Sequence, residues 1–163
     1  MSLGFILCIA GYLADWSQTK GYLTTTQVRK YFNCGAFIAQ MAFMMLAAYQ
    51  RDRFLIIFFL TLGVGLGGFS VCGYMVNHLD IAPQYASILM GISNTAGTIP
   101  GIISPLLTGY LVTDEKNPNQ WEVIFFTAAG VYLFGAIIYW IFVSGELQPW
   151  AKKTDNKLQF NQL

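Results

Sequence analysis

A chain of 163 residues with a net charge of +1, 55% hydrophobic and only 10% charged residues, lies outside the range of soluble globular domains, where about a quarter of residues carry charge. Charge this sparse and balanced leaves no basic surface for nucleic acid, and the three cysteines, all within or beside apolar runs, imply no disulfide framework. The solvent of this chain is the lipid bilayer.

The first apolar run, Ser2 to Ala14, is 13 residues long and stops at Asp15, short of the roughly 20 residues that cross a membrane. It lacks the basic start and the small-residue cleavage site of a signal peptide. It therefore reads as a truncated transmembrane span over 1–14; of the two readings of Met1, the genuine start of a short gene product or the opening of an incomplete chain, the second is favoured. A cytoplasmic loop over 15–30 follows, carrying Asp15, Lys20, Arg29 and Lys30.

Four segments without Asp, Glu, Lys, Arg or His come next: Tyr31 to Gln50, Phe54 to Val76, Ala86 to Val112 and Val123 to Val143. Each is long enough to span. Together they predict a four-span bundle over 31–143, with 144–163 as a cytoplasmic tail. Lys20, Arg29, Lys30, Lys152, Lys153 and Lys157 stand against Arg51, Arg53 and Lys116 in loops of opposite parity. The basic excess places the first loop and the C-terminus on the cytoplasmic side, and Arg29 and Lys30 read as topology anchors.

In the second of these spans Phe59, Gly63, Gly67, Ser70, Tyr74 and Asn77 fall along one helical face. Gly63, Gly65 and Gly68 spell G-x-G-x-x-G, but a dinucleotide site needs a strand, a tight turn and a helix opening onto phosphate. Inside an apolar span the pattern is coincidence. The third span places Ser87, Gly91, Asn94, Thr98, Gly101, Pro105 and Thr108 on one side, and Ile88, Leu89, Ile92, Ile99, Ile103, Leu106 and Leu107 on the other. The first side is a small, polar face for other protein, and Pro100 and Pro105 bend the helix where other protein or a water-filled cavity compensates.

The tract GYLADWSQTK, residues 11–20, resembles the loop motif of major facilitator transporters, with its G-x-L-a-D core. TTTQVRKYFNCG, NHLDIAPQYASILMGISNTAGTIPG and SGELQPWA are similar to the branch containing sialin, the vesicular glutamate transporters and the sodium-phosphate cotransporters, insect inorganic phosphate cotransporters among them. The resemblance runs from Gly11 to Ala151. It implies an all-α integral membrane fold of the major facilitator type, the C-terminal half only, with four complete transmembrane helices plus the truncated one. It further implies a symporter of small anions such as phosphate, sialic acid or glutamate, coupled to Na⁺ or H⁺, in the plasma membrane or a lysosomal or vesicular membrane. The missing N-terminal half is then a required partner. The alternative is a truncated, non-transporting membrane protein with an interaction or regulatory role.

Within that frame Asp15 is a gating candidate, since a carboxylate at a helix end can pair with a basic residue in one conformation and release it in another. The family's usual basic and glycine positions in this loop are mostly replaced by Trp16-Ser-Gln-Thr. His78, the single histidine, and Asp80 sit at a span end, which favours a gate or structural hydrogen bonding over proton coupling at the midplane. Gly91, Gly101, Pro100 and Pro105 are the conformational candidates of the third span. Tyr74, Asn94 and Thr98 are possible pore-lining residues. No cation or acid stands within the spans to meet an anion or carry a coupling ion, so those groups are expected in the other half. The sequence offers no His cluster, metal-ligand spacing or acid pair, and so predicts neither an enzyme, a metal site nor a cofactor.

Overall fold

A computed structural model describes residues 2–114 and 117–152. Six α-helices account for nearly all of it: α1 (Ser2–Thr19), α2 (Thr25–Tyr49), α3 (Arg53–Leu66), α4 (Gly68–Ile81), α5 (Ala86–Leu111) and α6 (Pro118–Phe142). No strand occurs among the described residues. The chain is a multi-pass membrane protein: four helical stretches, Thr25–Tyr49, Arg53–Ile81, Pro83–Leu111 and Pro118–Phe142, are long and apolar enough to cross a bilayer. At 1.5 Å per residue the 25-residue helices reach about 37 Å, against a hydrocarbon core of about 30 Å.

The helix boundaries follow local chemistry. Thr24 caps α2 by accepting from the Gln27 amide, and the Gln27 side chain accepts in return from the Thr24 amide. This reciprocal pair satisfies two orphan donors and starts the helix six residues ahead of the apolar run at Tyr31. At the other side α1 continues through Asp15 to Thr19. The loop expected over 15–30 thus shrinks to residues 20–24, turned by Gly21 at a φ of 71°, which glycine adopts without a Cβ clash. Asp52 and Asn117 cap α3 and α6. The run that pairs α3 with α4 is one span interrupted at Gly67, whose N–H is shared between the carbonyls of Gly63 and Val64, both at 3.1 Å. That tightening to an i→i+3 bond is a single 3₁₀ step.

The buried apolar residues are mostly alanines: Ala10, Ala14, Ala36, Ala47, Ala48, Ala129 and Ala136, while Phe54, Phe134, Ile141 and Phe142 are exposed. In lipid, where large side chains gain nothing by hiding, small residues let backbones approach and large ones face the acyl chains. α2 is the hub. It packs on α6, with Cys34 Sγ 3.4 Å from the Ala136 carbonyl and ring contacts Phe37–Tyr132, Tyr31–Trp140 and Tyr49–Phe126. It packs on α3 and α4 through the glycine face: a Cβ on Gly63 would lie 3.3 Å from Phe43 Cβ, and one on Gly67 3.1 Å from Gln40 Oε1. α1 lies against α4. α5 stands apart, with no buried residue along its 26 positions.

Candidate functional site

The amino ends of α2 and α5 and the carboxyl ends of α1, α4 and α6 meet at one face of the bundle, and the polar chemistry gathers there. Arg29 and Asp80, 51 residues apart, form an ion pair with Nε–Oδ2 at 2.7 Å and Nη2–Oδ1 at 3.4 Å. The third guanidinium nitrogen donates to the Cys72 carbonyl at 2.8 Å. Both side chains are largely buried, at 8% and 18% exposure. A guanidinium fork engaged at all three nitrogens is fixed in direction as well as in charge.

Arg29, read from the sequence as a topology anchor, is thus also a buried side chain paired with another helix. Lys30, its neighbour, instead rests its ammonium 5.5 Å from the Trp140 ring centre at the helix end. A signal for the difference was present. Arg29, Asn33, Ala36 and Gln40 follow helical spacing and are all buried, so they form one stripe turned toward α4. A polar stripe on a spanning helix faces protein rather than lipid.

Asn33 is fully buried, and neither its Oδ1 nor its Nδ2 finds a partner among the described residues. The same holds for Tyr139 Oη on α6 and Asn77 Oδ1 on α4. Tyr139 lies within electrostatic reach of Arg29 and Asp80. Gly73 makes the close approach of α2 and α4 possible: a Cβ there would fall 2.5 Å from Asn33 Cβ. Desolvated polar groups of this kind cost about 1–3 kcal/mol each when left unsatisfied, which marks the cluster as a place where stability is given up.

His78, in the last turn of α4, joins that helix to α5. Its Nδ1 lies 3.1 Å from the Met75 carbonyl and its Nε2 2.9 Å from Ser93 Oγ. A carbonyl can only accept, so Nδ1 carries a proton and donates to it, while Nε2 shares its hydrogen bond with the Ser93 hydroxyl. Asp15 sits one turn from the end of α1, and its carbonyl accepts from Thr19 Oγ1 at 2.8 Å. Asp80 and His78, two residues apart on α4, enter separate hydrogen-bond sets, Asp80 with Arg29 on α2 and His78 with Ser93 on α5, and Asp15 belongs to neither.

The segment after α6 is docked rather than free. Gly145 N donates to Thr26 Oγ1 at 2.9 Å, Gln148 N to the Ile81 carbonyl at 3.0 Å, and Gln84 Nε2 to the Ala151 carbonyl at 2.7 Å. Residues 144–152 therefore strap the starts of α2 and of the Pro83–Tyr85 turn; the rest of the expected tail, Lys153 and Lys157 included, lies outside the described residues, as does Lys116.

Gly91 and Gly101 have nothing within 4 Å of the Cβ each lacks, and α5 remains helical through Pro100 and Pro105. Asn94 and Thr98 are exposed on the same helix, the Thr98 hydroxyl bonding to the Asn94 carbonyl at 3.0 Å; Tyr74 on α4 is 38% exposed. The small face of α5 is thus uncovered by this chain. Among the described residues no group of three or more His, Cys, Asp or Glu is placed to hold a metal ion.

No family model matches the chain. It is 46% identical over 147 residues to vesicular glutamate transporter 1 of Xenopus laevis, covering 90% of this chain and 25% of the relative. It is 47% identical over 146 residues to vesicular glutamate transporter 2 of Homo sapiens, with the same coverage. With vesicular glutamate transporter 2.2 of Danio rerio the identity is 46% over 158 residues, 95% of this chain and 27% of the relative. The chain spans about a quarter of the length of the curated relatives it matches.

Proposed function

We propose, from its homology to the vesicular glutamate transporters and so to the anion-transporting branch of the major facilitator superfamily, that this chain supplies one wall of a secondary active carrier for small anions. The identity of 46–47% over nine-tenths of the chain carries that reading. Glutamate, phosphate and sialic acid are the substrate classes it fits, with Na⁺ or H⁺ as the coupling ion and a plasma, lysosomal or vesicular membrane as the setting. The C-terminus is cytoplasmic.

Among the described residues every Asp, Glu, Lys, Arg and His lies at or near a helix end or in a loop. An anion near the midplane needs a cation or helix N-termini there, so the remainder of the carrier supplies it. In this division of labour Arg29–Asp80 is a conformational latch, His78–Ser93 the hinge contact on which α5 turns, and Asp15 a further gating acid. Pro100 and Pro105 give α5 its bend, Gly91 and Gly101 its sliding face, and Tyr74, Asn94 and Thr98 line the pathway.

Reconstitution in liposomes tests this. Saturable, gradient-dependent uptake of glutamate, phosphate or sialic acid is expected when the chain is combined with the complementary part of a related carrier, and none from the chain alone. Saturable flux from the 163 residues by themselves overturns the division of labour; silence of the combination overturns transport. The uncovered face of α5 favours one second reading, a non-transporting partner that associates with an intact carrier through that helix.

A further inference from the structure

At the end of the bundle opposite Asp80, a crevice of about 670 Å³ opens between the last turn of α2 and the first turns of α3 and α6. That volume falls within the roughly 300–1,000 Å³ typical of small-molecule sites. Its mouth carries Arg51, Arg53 and Glu122, and its walls are apolar, formed by Ile56, Leu60 and Phe125. Leu60 lies seven residues along α3 from Arg53, so the apolar wall descends about 10 Å from the charged mouth. Charge at the level of the headgroups with an apolar slot beneath it is the profile of an amphiphile standing along the membrane normal.

The charges select which amphiphile. Asp52 Oδ1 is occupied by the Phe54 amide at 2.9 Å, where it caps α3. Arg51 keeps one long contact, Nη2 to Asn119 Oδ1 at 3.5 Å. The Arg53 and Glu122 side chains have neither hydrogen bond nor ion pair among the described residues, and no ion pair joins Glu122 to either arginine. Among the described residues, two cations and one carboxylate thus ring the mouth, with no ion pair between them. An anionic headgroup would satisfy the arginines and be repelled by Glu122. A zwitterion with a phosphate and a hydrogen-bonding ammonium answers both signs.

We propose that this crevice binds a phospholipid with an ethanolamine headgroup, its phosphate on Arg51 and Arg53, its primary ammonium on Glu122, and one acyl chain along Ile56, Leu60 and Phe125. Choline lipids lack the ammonium protons that Glu122 accepts, and glycerol lipids lack the ammonium altogether. The site lies at the other end of the spans from the Arg29–Asp80 cluster and is independent of the transport reading.

Native mass spectrometry of the full chain, released from bilayers of equal ethanolamine, choline and glycerol phospholipid with matched acyl chains, tests it. Ethanolamine lipid is expected as the dominant adduct. Arg53→Ala should weaken its retention about tenfold, the size of one charge-assisted hydrogen bond, and Arg53→Lys should restore part of it. Glu122→Gln should erase the preference over choline lipid while leaving total lipid occupancy. Equal retention of the three lipids, preference for the glycerol lipid, or unchanged binding in Arg53→Ala overturns the proposal. So does equal occupancy by soluble phosphoethanolamine, which would mark the mouth as a site for the free headgroup. The Arg53 side chain is exposed and carries no internal bond, so circular dichroism of Arg53→Ala should match the parent.

Discussion

Asp80 shows what pairing at a distance demands of single side chains. Its carboxylate is the counter-charge for a guanidinium that is 6% exposed as a residue. Asp80→Asn leaves that charge with the Cys72 carbonyl and a neutral amide, and breaking a buried pair on one side costs roughly 3–5 kcal/mol. Arg29→Gln combined with Asp80→Asn removes both charges and should recover part of the loss. Thermal unfolding of the two single variants and the double variant in detergent reads this directly; additive losses would mean that the two residues act separately. The pairing was not legible in sequence because a basic residue just before a span already has an explanation in membrane topology. Fifty-one residues of separation leave no local pattern to contradict it. Asn33 was more accessible, since an amide in the first third of a spanning helix requires protein beside it.

On the scale of whole helices, glycine has two meanings in this chain. Gly73 is a spacer with α2 against it, and a Cβ would meet Asn33 Cβ at 2.5 Å and its backbone N and Cα at 3.1 Å. Backbone cannot swing aside as a side-chain tip can, so Gly73→Ala should destabilise by about 1–3 kcal/mol, the usual cost of overpacking. Gly101→Ala adds a methyl group to open space and removes glycine's helix penalty of about 1 kcal/mol, so it should be neutral or stabilising in the isolated chain. Unfolding of the two variants, compared under one condition, distinguishes a spacer from a free face; equal losses would remove the distinction. The spans themselves, the glycine face of α3 and α4 and the proline-bearing α5 were readable from hydropathy and helical spacing. The true start of α2 was readable too, in the Thr24-x-x-Gln27 pattern, although hydropathy alone placed it late because capping residues are polar by necessity.

Across the whole molecule, helix direction alternates, so Lys20 and the strap at residues 144–152 share one side and Asp52 and Asp114 share the other. With Cys8, Cys34 and Cys72 replaced, a cysteine at exposed Lys20 should label from the cytoplasm, and cysteines at exposed Asp52 and Asp114 from the opposite side. Labelling of all three from one side is incompatible with these spans, and labelling in the reverse sense inverts the proposed orientation. Charge counting could propose that orientation, but Lys116, Lys153 and Lys157, three of the nine basic residues counted, lie outside the described residues. What no periodicity foretold is the docking of the segment after α6, because its bonds run through backbone amides and carbonyls that every sequence possesses.

That docking sets an order in time. Thr26 Oγ1, at the start of α2, accepts from Gly145, 119 residues later, and Gln148 must arrive before the Ile81 carbonyl is satisfied. During synthesis, at about 5–20 residues per second, α2 waits six seconds or longer for the piece that closes over its first turn. Until then its buried charge sits beneath an open end. A nascent chain halted after Phe142 should therefore be cut by protease near Thr24–Thr26 faster than one completed past Ala151. If the two are cut equally fast, the strap closes nothing; if they differ, the arrival of residues 144–152 is what shields the first turn of α2.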